Sequence, residues 1–304
     1  MDLASLASIL VNIIMPIVLV AAAGFLLAKT INLEARPLSR TMLYFFTPAL
    51  VFSSTYKADL SAEYVSIAVF AIVITLIMVG VAWALAKIFR YDRLTTAAFM
   101  LGVLFVNAGN YGLPLILFAF GDEGLARAAI YFAISAILTQ TLGIFVAASG
   151  RASAREALLN VFKLPLAYAV ILGMIFNLGH ITVPGFLMKS IDLASSGAVP
   201  VMLVILGIEL ARVTVERDHR VVIGLATVAK LIVVPLLSFP LAALMGMTGV
   251  TRAVCIIESS MPTAVMASIV AVEFDARPKI VTGIIFASTL ASIVTLTVLL
   301  GILR

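Results

Sequence analysis

Asn107-Ala-Gly-Asn-Tyr-Gly-Leu-Pro114 interrupts an otherwise apolar run, Thr95 to Phe120, with two carboxamides, a phenol, two glycines and a proline. Everything around it is hydrophobic: 63% of the 304 residues are apolar, 12% are charged, and the mean hydropathy is +1.21. A water-soluble surface cannot be built from that composition. A hydrocarbon core of about 30 Å takes roughly 20 apolar residues per helix, so spans of that length account for most of the chain and leave short loops.

Working outward from 107–114, charged punctuation divides the chain into ten spans: Leu6 to Ala28, Leu38 to Thr55, Tyr64 to Ala86, Thr95 to Phe120, Ala126 to Ser149, Leu158 to Leu178, Ile191 to Ala211, Val221 to Met245, Val250 to Val272 and Ile280 to Leu303. Most are apolar on every face, so length and punctuation carry the assignment. The basic residues test it. One set of loops collects Lys29 to Arg40, Lys87 to Arg93, Arg151 to Lys163, Arg212 to Arg220, and Arg277 with Lys279; the alternate set holds only Lys57, Arg127, Lys189, Arg252 and Arg304. Cytoplasmic loops are enriched in Lys and Arg, so this bias places both termini outside the cytoplasm. The first span carries Asp2 in place of a basic leader and is expected to be a retained membrane helix. The net charge of +5 belongs to this orientation signal and not to nucleic acid. The single Cys255 excludes an intrachain disulfide and a thiol framework for metal.

Helix-disturbing residues repeat. Pro16 and Gly24 in span 1 match Pro165 and Gly173 in span 6, Pro48 in span 2 matches Pro200 in span 7, and Pro114 in span 4 matches Pro262 in span 9, at offsets of 149, 152 and 148 residues. The expected architecture is all-α: ten transmembrane helices as two five-helix repeats, 1–150 and 151–304. An odd number of crossings per copy inverts the second copy, an arrangement characteristic of secondary transporters.

Spans 4 and 9 are expected to be broken helices, at 107–114 and at Glu258-Ser-Ser-Met-Pro-Thr263. Each proline is expected to open a second half-helix whose unpaired N–H groups face the break. If the breaks cross, those positive ends make a site for a carboxylate. The expected lining is Asn107, Asn110, Tyr111, Gly112 and Pro114 from the first break, with Glu258, Ser259, Ser260, Pro262 and Thr263 from the second. The plainer alternative is two kinked, packed helices whose polar side chains cap the local backbone. Lys230 and Glu258 are ionisable at membrane depth, which costs about 2.5 to 3.5 kcal/mol each if unpaired. Either they form a fixed salt bridge between spans 8 and 9, or they act in coupling or charge relay, Glu258 taking up a proton or Lys230 meeting substrate.

No span contains His, no Asp pair lies at membrane depth, and neither H-E-x-x-H nor G-x-S-x-G occurs, so an intramembrane enzyme is not expected. A membrane receptor that binds without transporting leaves the paired breaks without a use.

The segments Phe105 to Phe132 (FVNAGNYGLPLILFAFGDEGLARAAIYF), Glu258 to Ala276 (ESSMPTAVMASIVAVEFDA) and Pro37 to Phe52 (PLSRTMLYFFTPALVF) resemble the auxin efflux carrier family, which includes plant auxin carriers and bacterial organic-acid permeases. The likeness spans essentially the whole chain. It implies a homodimeric scaffold of helices 1, 2, 6 and 7, and a transport domain of helices 3–5 and 8–10 that moves as an elevator, with helices 4 and 9 crossing at Pro114 and Pro262. It also implies a bacterial plasma membrane and a small organic anion such as malate, malonate or an auxin-like acid. No cofactor and no metal are implied, only a coupling ion, H+ or Na+. The runner-up is a sodium-coupled symporter of the bile-acid type. The loop between spans 5 and 6 is far shorter than in plant members, and Glu258 stands where an amide is expected beside an anion.

Overall fold

The computed structural model describes residues 3–58, 63–147, 165–213 and 219–304, and among them the chain is all-helical apart from one isolated antiparallel bridge. The helices are α1 (Leu3–Thr30), α2 (35–57), α3 (Tyr64–Ile88), α4 (Arg93–Leu104), α5 (Leu113–Ala147), α6 (Pro165–Leu178), α7 (Gly185–Ala211), α8 (Arg220–Leu244), α9 (Gly249–Ser259), α10 (Met266–Glu273) and α11 (Pro278–Leu303). Among the described residues, six helices are long and apolar enough to cross a membrane. Two more, α4 and α6, are apolar but shorter. The basic positions Arg151, Arg155, Lys163 and Arg217, the end of span 5 and the start of span 6 lie outside the described residues.

Prolines shape these rods in a consistent way. Four π turns, Leu10–Ile14, Met42–Phe46, Ala108–Gly112 and Ala229–Val233, each end two residues before a proline, namely Pro16, Pro48, Pro114 and Pro235. A proline ring would press on the carbonyl four residues upstream and offers it no N–H, so one extra residue in the preceding turn relieves the clash. Pro200 lies inside α7 without such a turn, so the Pro48–Pro200 pair is not matched in local geometry.

Helices α1, α2, α6 and α7 pack as one group, with the closest pairings α1 on α7 and α2 on α6. Glycine makes those approaches possible. A Cβ on Gly207 would run into the carbonyl of Ala21, one on Gly24 into the carbonyl of Val204, and one on Gly173 into Thr55 with the Phe52 carbonyl at 3.2 Å. In lipid there is no hydrophobic drive between helices, so such backbone-to-backbone contact supplies the dispersion energy that holds them. The remaining helices form a second group, in which a core around Phe99, Leu101, Ile280 and Ile284 joins α4, α8, α10, α11 and the later half of α3, while α5, α9 and the first half of α3 share their core with α1, α2, α6 and α7.

This second group is braced at both ends of α3. Before α3, Arg127 Nε on α5 reaches the Glu63 carboxylate at 2.8 Å and Thr251 Oγ1 of α9 at 2.7 Å, while Thr251 also bonds Glu63 and Arg127 Nη1 meets Glu123 at 3.3 Å. Beyond the other end, Arg277 Nη2 meets Asp92 Oδ2 at 3.0 Å, and Asp92 caps α4 by accepting from the N–H groups of Leu94 and Thr95.

This packing makes two outcomes measurable. Gly207→Val should lower the unfolding midpoint in detergent by an amount equivalent to about 1–3 kcal/mol, the usual cost of overpacking, whereas Gly224→Ala, with nothing within 4 Å of the new Cβ, should leave it unchanged. Burial raises the Glu63 carboxyl, but hydrogen bonds from Thr251 and Arg127 and the Arg127 charge outweigh it, and the net shift is downward from 4.5. A lowered carboxyl contributes stability above its unfolded value and loses it as pH falls through the folded one. Unfolding midpoints should therefore drop below about pH 4.5, and Glu63→Gln should flatten that part of the profile, modestly because the pair is partly exposed.

Candidate functional site

Asp92 starts α4, and the helix stops at Leu104 because residues 105–114 cannot continue it well: Phe105 turns extended (φ −75°, ψ 103°), Asn107, Gly109 and Gly112 are poor helix formers, and Pro114 brings no N–H. The π turn Ala108–Gly112 restarts the rod, its first bond running from the Gly112 N–H to the Asn107 carbonyl at 3.0 Å, and Pro114 then sits in the first turn of α5. Gly121 (φ 64°, ψ −158°) bends α5 shortly afterwards. The second break lies between α9, ending at Ser259, and α10, starting at Met266.

The breaks cross and complete one another. The Asn107 N–H donates to the Pro262 carbonyl at 2.9 Å and the Ala264 N–H donates to the Phe105 carbonyl at 3.0 Å, which pairs Val106 with Thr263 as two antiparallel strands would be paired. Thr263 adds two bonds: its hydroxyl donates to the Gly102 carbonyl at 2.6 Å, and its N–H donates to Ser288 Oγ of α11 at 3.1 Å. Unwound backbone is thus paired with unwound backbone.

One expectation about the second break needs correcting. Pro262 does not open a half-helix; it stays in the extended stretch, where its carbonyl serves the bridge, and α10 resumes four residues later. A half-helix starting at Pro262 would have pulled Thr263 and Ala264 out of the pairing.

The expected lining residues fall into three groups. Ser259, Ser260 and Thr263 are buried and engaged internally: Ser259 with Ser238 Oγ and the Ile256 carbonyl, both at 2.9 Å, Ser260 with the Ile256 carbonyl at 2.7 Å, and Thr263 as described. Tyr111, Gly112 and Pro114 are buried. The carboxamides of Asn107 and Asn110 make no hydrogen bond among the described residues, and Asn110 is partly exposed. The four N–H groups of Ala108 to Tyr111 precede the first intrahelical bond of the restarted rod.

Glu258 is fully buried, and among the described residues neither carboxylate oxygen has a hydrogen-bond partner. It lies against Gly112 of the other break: a Cβ there would meet Glu258 Oε2 and stand 2.7 Å from Oε1. Glu258 stands four residues before Pro262 as Asn110 stands four before Pro114, and its contact in the other break is Gly112. The salt bridge open to Glu258 and Lys230 is not formed, because Lys230 projects from the π turn of α8 into a separate cleft shared with Thr75, Tyr131 and Ser259. Sequence reasoning missed Ser238, Ser288 and Tyr131. A signal existed for Ser288, which with Ser292 forms an i, i+4 hydroxyl pair in the last span.

Comparison with known proteins gives a consistent result. A family model described as membrane transport protein matches residues 9–157 and 149–300. An uncharacterized transporter of Methanothermobacter thermautotrophicus is 31% identical over 270 residues, covering 86% of this chain and 87% of the relative. Another uncharacterized transporter, from Methanocaldococcus jannaschii, is 29% identical over 274 residues, covering 86% and 88%.

The contact between the breaks yields a test. Gly112→Ala should destabilise the protein, and the loss should shrink when Glu258 is also shortened to Ser. In a double-mutant cycle of unfolding midpoints the coupling should exceed about 0.5 kcal/mol, the level separating neighbours from independent sites; additive effects would show that the two residues do not touch.

Proposed function

The chain belongs to the membrane transport protein family, the auxin efflux carrier group its sequence resembles, and from that premise we propose that it carries a small organic anion across a bilayer by alternating access. The observation that carries the reading is the hydrogen-bonded crossing at Val106 and Thr263. Beside it lie two carboxamides, Asn107 and Asn110, with no partner among the described residues, and the N–H groups of Ala108 to Tyr111. Amide dipoles of this kind hold a carboxylate without a full cationic side chain, which lets the guest leave as well as enter.

The same reading takes the chain as ten crossings in two inverted halves. The close approaches of Gly24 to Val204 and Gly173 to Phe52 support it, since 24 and 173 differ by 149 and 52 and 204 by 152, the offsets found for the prolines. Helices α1, α2, α6 and α7 act as a dimeric scaffold, and the braced group from α3 to α5 and α8 to α11 moves past it as an elevator. Glu258, pressed between the breaks with no partner among the described residues, takes up a proton and thereby couples the anion to H+; a carboxyl left ionised and unpaired at that depth would be costly. Both termini lie outside the cytoplasm in this orientation.

Reconstituted in liposomes, the protein should take up malate, malonate or an indole acid in a saturable way, faster with an inward proton gradient. Asn110→Ala should raise the half-saturating concentration by about tenfold, corresponding to about 1.4 kcal/mol, with the unfolding midpoint retained. No uptake or counterflow of any carboxylate under proton, sodium or voltage gradients would refute the carrier reading, and strict sodium dependence would move the coupling from Glu258 to a cation.

A further inference from the structure

Lys230 is 3% exposed, and among the described residues no carboxylate oxygen comes within ion-pairing distance of it. Its position is built rather than incidental, because the π turn Ala229–Val233 ahead of Pro235 places it on the inner face of α8. π turns inside α-helices concentrate at functional sites, where the extra residue re-aims a side chain. The side chain lines a cleft between α3, α4, α5, α8 and α9, which also touches Val106 of the bridge.

The chemistry of that cleft selects for negative charge. Among the described residues, no Asp or Glu lines it. The hydroxyls of Thr75 and Ser259 already donate, to the carbonyls of Ala71 at 2.7 Å and Ile256 at 2.9 Å, so the donors left over are the Lys230 ammonium and the Tyr131 hydroxyl. The rest of the wall is aliphatic, with Ile74, Met78 and Val103. Size then narrows the guest: the enclosed part of the cleft admits about one water-sized body, which favours a small ion over a dicarboxylic or aromatic acid. A monatomic anion is small enough for a cleft that Lys230 and Tyr131 both line, and is hydrated weakly enough to tolerate apolar walls.

We propose that this cleft binds one small inorganic anion, chloride under ordinary conditions, held by Lys230 and Tyr131. The site differs from the crossover face bearing Asn107 and Asn110, and the inference stands whether or not an organic acid is carried. Its occupant would bear on Val106 in the first break and on Ser259 at the edge of the second, and so would stiffen the crossing.

The test uses the full chain in detergent at constant ionic strength. Replacing sodium gluconate by about 100 mM sodium chloride should raise the unfolding midpoint by about 2–4 °C, as expected for a ligand well above its dissociation constant. Bromide should act like chloride, and Lys230→Met should abolish the shift. Should Lys230→Met fail to fold, Tyr131→Phe serves instead and should reduce the shift at least twofold, with equilibrium dialysis of radiolabelled chloride against the wild type giving about one ion per chain. An unchanged midpoint in chloride would overturn the proposal, since the cleft would then hold only water. So would competition by butyrate for bound chloride, which would make it an organic-acid site. Liposomes that transport no acid, made from protein that still binds chloride, would remove the carrier reading and leave this one intact.

Discussion

Backbone amides inside lipid have no water to turn to, and the structure depends on how one place meets that constraint. Between Leu104 and Ala108, and again between Ser259 and Met266, the helical ladder stops. Each interruption leaves N–H and C=O groups that would cost several kcal/mol apiece if stranded. They are served by each other: Asn107 donates to Pro262, and Ala264 donates to Phe105. Neither break is tenable alone, so α4, α5, α9 and α10 must assemble together, and the helices around them can be understood as what holds that assembly in register. The Thr263 bonds to Gly102 and Ser288 fasten it laterally. The ion-pair braces at Glu63, Arg127 and Thr251, and at Asp92 and Arg277, fasten it at the two ends.

Much of this was legible in the sequence, and for identifiable reasons. Apolar runs of bilayer length are long-range signals that survive errors at single residues, so the helical character and the two interruptions could be read from composition and from Gly, Pro and Asn placement alone. The crossing of the breaks was anticipated, but its chemistry was not. Pro262 looks like a helix opener because proline often is one. Whether a proline opens a helix or sits in extended chain depends on where its carbonyl is needed, and here the partner is Asn107, 155 positions away. Local propensity has no access to a partner at that distance.

The π turns mark another limit. Proline predicts a disturbance, and four of them lie two residues after a widened turn, yet Pro200 and Pro240 sit within α-helix. Packing decides which relief is used. Lys230 lies within one of these π turns and lines a cleft of its own, with no carboxylate of the described residues in ion-pairing range. A salt bridge between Lys230 and Glu258 was a reasonable inference from depth alone, because depth is what hydropathy reports and rotation is not.

Keeping those two charges apart has a structural logic. Glu258 and Ser259 are neighbours on α9, so their side chains leave the helix on different faces: Glu258 meets Gly112 inside the crossing, while Ser259 borders the cleft of Lys230. Had the carboxylate and ammonium paired, each would have cancelled the other, and a buried pair of that kind adds little net stability over apolar residues of similar volume. Separated, Glu258 keeps a carboxylate without a hydrogen-bond partner among the described residues, and Lys230 keeps an ammonium with no carboxylate among them in ion-pairing range. Both groups border the same antiparallel bridge, Glu258 through Gly112, a few residues after Val106, and Lys230 through a cleft that Val106 also lines. A change in the partners of either group therefore acts next to the hydrogen-bonded bridge that joins the two interrupted rods.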